Sequence, residues 1–266
     1  MITVTRENNM ELMARYPDNY FELAIVDPPY GILNKTKRGG DRKFNMEEYS
    51  QWDVKPNDEY FKELFRVSKN QIIWGGNYFS QIWLRSEYNK GFIIWDKNQP
   101  ESLNNFSMAE MAWSSLDKPS KIFRYSVRKN RNKIHPTQKP IELYEWLLKM
   151  YAKQGDKILD THLGSGTIAI ACYNAGLSLT ACEISETYFL KSLEKISGIV
   201  SENSIQKNSE DAFSIVFPNQ LNPENEKHNE YKAQILQLKL FNESKAKYNL
   251  VKIKNTKVQL VTASKQ

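Results

Sequence analysis

Asp27-Pro28-Pro29-Tyr30 follows directly on the apolar run Leu23-Ala24-Ile25-Val26. Proline locks φ and carries no N–H, so the turn is stiff and its carbonyls are available as acceptors. The Asp27 carboxylate and the Pro28 carbonyl can together accept both hydrogens of one NH2 group. Tyr30 offers an aromatic face to the ring that carries the amine. Asp27, Pro28, Pro29 and Tyr30 are therefore the candidate catalytic set, a holder for an aromatic amine such as adenine. The competing reading is a structural turn with Tyr30 packed as core.

A second constellation lies far downstream, at Lys157-Ile158-Leu159-Asp160-Thr161-His162-Leu163-Gly164-Ser165-Gly166-Thr167. A short apolar strand again ends in an acid, and a glycine turn leads into the helix-like Ile168-Ala169-Ile170-Ala171-Cys172. Glycines permit φ > 0 and let backbone approach a ligand at a helix N-terminus. Leu179-Thr180-Ala181-Cys182-Glu183 then reads as a second strand ending in an acid, about 20 residues past the loop, where ribose hydroxyls are bound. Asp160, His162, Leu163, Gly164, Ser165, Gly166, Thr167 and Glu183 are the cofactor candidates. A dinucleotide fingerprint wants a third glycine where Ala169 stands, and no Lys follows the second glycine as a phosphate loop requires. S-adenosylmethionine, with a ribose and no phosphate, suits the pattern. A bland βαβ crossover turn is the alternative.

With both constellations in view, the chain resembles the β-class DNA amino-methyltransferases that make N6-methyladenine. That family also places an Asp-Pro-Pro-Tyr motif first and the cofactor loop second. His135-Pro136-Thr137-Gln138-Lys139-Pro140 matches it too, just ahead of the cofactor loop. The resemblance spans roughly residues 1–198. It implies that His135, Thr137, Gln138 and Lys139 hold the cofactor's amino-acid end, where Lys139 can pair with a carboxylate. A proline-bounded helix start is compatible with that role. Two departures stand out. Thr161 and His162 occupy positions where the family usually has Pro and Phe, so His162 is expected to pack or hydrogen-bond rather than catalyse. The segment available to read DNA sequence, 115–133, is short.

These motifs must be carried by strands and helices. Strands are expected at 71–74, 91–96 and 109–113, besides those ending in Asp27, Asp160 and Glu183. Helices are expected at 60–67, 78–85, 141–151 and 188–196. Short apolar strands alternating with helices predict an α/β fold: a Rossmann-like, mostly parallel sheet with helices on both faces and ligands at the strands' carboxyl ends. Trp74, Trp95 and Trp113 are read as core. Residues 1–198 form the expected catalytic domain: a catalytic half to about 114, the 115–134 segment, and a cofactor half from about 135. Residues 199–232 read as a linker. Residues 233–266 read as a basic appendage, with a helix at 233–241 and a hairpin of 250–253 with 258–261.

At 266 residues the chain can bury a full α/β core. Its net charge is +6, which leans toward a polyanionic partner. Lys35, Lys37, Arg38, Arg42 and Lys43 crowd the loop after Tyr30, and Arg124, Arg128, Lys129 and Arg131 precede His135. These nine are the candidate DNA-binding residues, since Lys and Arg beside a glycine hinge can hold phosphates; two solvated loops are the bland alternative. Residues 224–266 hold nine Lys against four Glu. For that stretch contact with DNA, burial against a second subunit in a homodimer, and a solvated tail stay open. Cys172 and Cys182 lack metal-ligand spacing and read as small core residues in a reducing compartment. No metal, membrane span or signal peptide is expected. The resemblance implies double-stranded DNA as substrate, in the cytoplasm of a bacterium or encoded by a phage, in a restriction–modification setting. N4-cytosine or RNA methylation is the nearest rival. An NAD-dependent oxidoreductase and a non-catalytic DNA-binding relative are further ones.

Overall fold

The computed structural model describes residues 1–32, 53–84, 91–99, 107–129, 132–207, 213–215 and 236–238. Its strands are β1 (Ile2–Arg6), β2 (Phe21–Val26), β3 (Ser68–Trp74), β4 (Phe92–Asp96), β5 (Ala109–Ser114), β6 (Lys121–Arg124), β7 (Lys157–Asp160), β8 (Ser178–Glu183), β9 (Phe213–Ile215) and β10 (Leu236–Leu238). They join in one sheet of order β10-β9-β1-β8-β7-β2-β3-β5-β4-β6. Pairing is parallel except where β5 meets β3 and β4 and where β10 meets β9. The helices are α1 (Asn9–Ala14), α2 (Asp58–Val67), α3 (Ser80–Trp83), α4 (Ile141–Tyr151), α5 (Thr167–Asn174) and α6 (Glu186–Lys207).

Both faces of the sheet are covered. In β2, Leu23 and Ile25 join one apolar cluster and Ala24 and Val26 the other, because successive side chains leave a strand on opposite sides. Leu143, Leu147, Ile168 and Phe189 bring α4, α5 and α6 to the first cluster. Leu12, Phe61, Leu64 and Ile82 bring α1, α2 and α3 to the second. Each such side chain, fully buried, contributes roughly 1.5–3 kcal/mol. The helices start where the chain supplies acceptors: the Asn57 side chain accepts from Tyr60 N at 3.1 Å, and Asn8 from Met10 N at 2.8 Å. Trp74, Trp95 and Trp113 are core, and Cys172 and Cys182 are buried free thiols.

Five elements differ from expectation. Residues 2–6, where no strand is expected, form β1 between β8 and β9, with Ile2 and Val4 buried. Within the expected recognition segment, Lys121–Arg124 is an edge strand blunted by its own charges, a common device at sheet edges. The helix expected to end near 196 runs on to Lys207, and Phe213–Ile215 pairs with β1, so the expected linker 199–232 includes a helix end and a strand. Leu236–Leu238, placed in an amphipathic helix at 233–241, is a strand antiparallel to β9. Leu236-Gln237-Leu238 alternates apolar and polar, which serves a strand as well as a helix turn, and the free edge of β9 decides between them. The hairpin expected at 250–261 lies outside the described residues.

Candidate active site

β2 and β7 are hydrogen-bonded neighbours, with Leu23 opposite Ile158 and Ala24 opposite Leu159. β8 is the next strand on that side. Asp27, Asp160 and Glu183 therefore cap three adjacent parallel strands along one carboxyl edge. A single cavity of about 440 Å³ opens there. All four catalytic candidates line it. So do His135, Thr137, Gln138 and Lys139, and from the cofactor loop His162, Leu163, Gly164, Ser165 and Thr167, together with Glu183. Asp160 and Gly166 stand behind the wall.

The Asp27 carboxylate is tied at both oxygens. The Tyr30 hydroxyl donates to Oδ1 at 2.6 Å and the Lys139 ammonium to Oδ2 at 2.5 Å. The Tyr30 ring stacks on Tyr78, with centroids 5.0 Å apart, and lies tight against Gly75, which has φ +68°. Lys139 was expected to face the cofactor's carboxylate. Its side chain is instead 1% exposed and bridges Asp27 to Glu110, whose Oε2 lies at 3.2 Å. Burial alone would lower the Lys139 ammonium, but the two carboxylates raise it. Burial pushes the Asp27 carboxyl up, and Lys139 restrains that rise.

The cofactor loop is held from beneath. Gly166, at φ +72°, takes a left-handed backbone that disfavours a side chain, and a Cβ there would fall 2.8 Å from Ile196 Cδ1 of α6. Glu183 accepts Gly164 N at 2.9 Å and Ser185 N at 2.8 Å, so its carboxylate is aimed and still has lone pairs for a diol. Burial raises its pKa and raises that of Asp160 to about 8. His162 has both ring nitrogens engaged: Nε2 accepts from Asn9 Nδ2 at 3.1 Å, and Nδ1 lies 2.9 Å from Thr161 Oγ1. Thr161 in turn meets the Tyr60 hydroxyl at 2.7 Å. Burial lowers the pKa of His162 to about 3, so the ring is neutral. His135, also lowered to about 3 by burial, packs edge-on against Tyr188 with centroids 4.3 Å apart. The polar groups at this end fit S-adenosylmethionine: an aimed carboxylate for a diol, and the His135–Gln138 turn beside it for an amino acid.

The basic residues are placed less fully. Lys35, Lys37, Arg38, Arg42, Lys43 and Arg131 lie outside the described residues. The stems of the 33–52 segment meet at the cavity, where Gly31 N donates to Asp53 Oδ1 at 2.9 Å. Arg124, Arg128 and Lys129 sit on and after the edge strand β6, and none lines the cavity. Arg124 pairs with Asp96 at 3.2 Å, and the Lys129 ammonium lies 5.5 Å from the Tyr125 ring centre. Sequence reasoning missed Glu110, Lys97, Tyr78 and Tyr144, all on the cavity wall. The one signal available for Glu110 was an acid inside an apolar strand. Among the described residues no acidic, His or Cys cluster could hold a metal ion, and no helix is long and apolar enough to cross a membrane.

Residues 74–194 match the DNA methylase family of N6/N4 methyltransferases. The type II methyltransferase M.HpaI of Haemophilus parainfluenzae is 25% identical over 232 residues, covering 71% of this chain and 72% of its own length. M.BglII of Bacillus subtilis is 24% identical over 253 residues, 74% of this chain and 69% of its own. The crystal structure of the M1.HpyAVI–SAM complex superposes with a TM-score of 0.53 at 20% identity, over 73% of this chain and all of that one. The PvuII cytosine-N4-specific DNA methyltransferase gives 0.51 at 14% identity, over 78% and 93%. The match over 74–194 and these relatives support a DNA amino-methyltransferase of the N4/N6 family with S-adenosylmethionine as its cofactor.

Proposed function

We propose that this methyltransferase acts on N6 of an adenine turned out of duplex DNA. The observation that supports it is the single cavity joining Asp27-Pro28-Pro29-Tyr30 to the Gly164–Glu183 end. When bound, S-adenosylmethionine supplies a methyl activated by its sulfonium. The chain's task is to present an amine to it. Asp27 and the Pro28 carbonyl accept hydrogen bonds from the two amine hydrogens, which draws the nitrogen toward tetrahedral geometry and frees its lone pair; as the N–C bond forms the S–CH3 bond breaks, and the surplus proton leaves the nitrogen by way of Asp27. Tyr30, its hydroxyl holding Asp27, contributes its ring to the base. Glu183 takes the ribose hydroxyls, and His135, Thr137 and Gln138 line the amino-acid end. A base inside a helix cannot reach such a cavity, so it must leave the stack, a cost of a few kcal/mol. Orientation of the two reactants then supplies much of the rate. The basic residues at 35–43 and 124–131 are proposed to hold the phosphates.

N4 of cytosine is the second reading. The groups at Asp27 and Pro28 recognise an NH2 group rather than a ring, and the PvuII relative in fold is cytosine-N4-specific. The test is incubation with methyl-labelled cofactor and unmethylated DNA, followed by nucleoside analysis, for wild type and Asp27→Asn. Label in N6-methyl-2′-deoxyadenosine, lost by at least a hundredfold in Asp27→Asn while cofactor still binds, is expected. Label in N4-methylcytosine overturns the adenine reading. An Asp27→Asn enzyme running near wild-type rate overturns the role of Asp27.

A further inference from the structure

Lys97, Glu110 and Lys139 continue a charged line from Asp27 along the cavity and have no part in the proposed transfer. The Lys97 ammonium donates to Glu110 Oε1 at 2.7 Å, Glu110 Oε2 meets Lys139 at 3.2 Å, Lys139 meets Asp27, and Asp27 accepts from Tyr30. Two ammonium groups thus alternate with two carboxylates. Each ammonium also lies over an indole: Lys139 at 5.1 Å from the Trp74 ring centre and Lys97 at 5.5 Å from that of Trp95. Both carboxylates are largely shielded, at 14% exposure for Asp27 and 24% for Glu110. β5 makes the arrangement possible. It runs antiparallel between β3 and β4, with Glu110 opposite Trp95 and Ala112 opposite Trp74. Its beginning therefore lies at the edge where its neighbours end, and Glu110 arrives there from the opposite direction.

We propose that Glu110 is a positioning residue for methyl transfer: it holds the Lys139 ammonium in place on Asp27, so that the carboxylate keeps one orientation and its charge toward the substrate amine. This rests on the reading of Asp27 as the amine acceptor. Lys139 alone, facing a single carboxylate, would neutralise Asp27 and weaken it as an acceptor. Sharing the ammonium with Glu110 leaves more of the Asp27 charge for the substrate. A shielded, hydrogen-bonded ion pair missing one partner is the more costly arrangement, which explains why the line closes on Lys97 at its outer end.

Other charged or titratable groups around Asp27 come from every neighbouring element: Tyr30 on its own loop, Tyr60 on α2, Glu110 on β5, Tyr144 on α4, Asp160 on β7, and Lys139 after His135. Only Glu110, Lys139, Lys97 and, as a control, Asp27 are changed in the test. Removing Glu110 takes away an anion that raises Asp27, whereas removing Lys139 takes away the cation that restrains it. The acid limb of the pH–rate profile should therefore move in opposite directions in the two variants. A merely structural role would lower both curves without moving them apart.

The experiment is single-turnover methylation of unmethylated duplex DNA at saturating S-adenosylmethionine between pH 5 and 9, for wild type, Glu110→Gln and Lys139→Met. Glu110→Gln is expected to lose roughly tenfold in rate with little change in apparent KM for either substrate, and to shift the acid limb down by about one pH unit. Lys139→Met should shift it up. If Lys139→Met does not fold, Lys97→Met replaces it, with an upward shift of smaller size. An acid limb unchanged in Glu110→Gln, or moved the same way in both variants, overturns the inference. Asp27→Asn separates the two failures. If it retains transfer, the reading of Asp27 falls; if it is inactive while Glu110→Gln keeps the wild-type profile, only the role of Glu110 falls.

Discussion

Gly75→Ala tests whether the placement of Tyr30 matters to the reaction. A Cβ at this position would lie 2.2 Å from Tyr30 Cε1 and 2.5 Å from Cδ1. Ordinary carbon contacts are about 3.5–4.0 Å, so the ring has to move by more than about 1 Å. The backbone cannot move instead, because Gly75 N donates to Met111 O at 2.8 Å and Gly75 O accepts from Tyr78 N at 2.8 Å. Left-handed φ costs an alanine roughly 1–2 kcal/mol, and a ring pushed off its rotamer about 0.5–1.5 kcal/mol more. Together these predict a fall in Tm of about 3–14 °C for a chain of this size. The effect on rate should be larger. Tyr30 holds Asp27 Oδ1, and misplacement by about 1 Å costs about a hundredfold. Gly155→Ala is the control: its φ is +90° but nothing lies within 4 Å, so it carries strain without a clash and should keep wild-type activity. The assay is label transfer to DNA beside a thermal melt. A folded Gly75→Ala enzyme with wild-type turnover would refute the argument that Tyr30 must sit where it does.

Two further outcomes follow from the cofactor end. Glu183→Gln removes a carboxylate aimed by Gly164 N and Ser185 N; losing a charge-assisted hydrogen bond of about 1.5–3 kcal/mol should weaken S-adenosylmethionine binding by roughly ten- to a hundredfold in calorimetry. Unchanged affinity would remove Glu183 from the site. His135 and His162, both held at about 3 by burial, should show no titration between pH 5 and 8 in nitrogen-detected NMR. A midpoint near 6.5 for either ring would show that it is open to water.

The motifs were legible because each is local. In Asp27-Pro28-Pro29-Tyr30 and in Gly164-Ser165-Gly166, residue types and spacing carry the backbone geometry with them. Helix α4 spans Ile141–Tyr151 as read, bounded by Pro140 before it. The strands that end in Asp27, Asp160 and Glu183 announced themselves as apolar runs closing on an acid. β1 is a short signal: Ile2 and Val4 alternate with Thr3 and Thr5 over only five residues, and its place is set by backbone pairing with β8 and β9 and by the core that takes Ile2 and Val4. β10 is ambiguous for another reason: three alternating residues serve a helix turn as well as a strand, and the edge of β9 decides for the strand.

Residue order alone was enough to name the amine holder, the glycine loop and the alternating α/β plan, since turn chemistry and short-range periodicity are properties of neighbours in the chain. It could not say that the two motifs share a cavity. That required β2 and β7 to pair in parallel, a contact between residues far apart in sequence. Nor could it say what Lys139 grips. A lysine reaches whichever carboxylate the fold brings near, and here the reversed direction of β5 delivers Glu110 to the same ammonium as Asp27. Charge partners and cavity walls depend on distance through space, and only packing sets that distance.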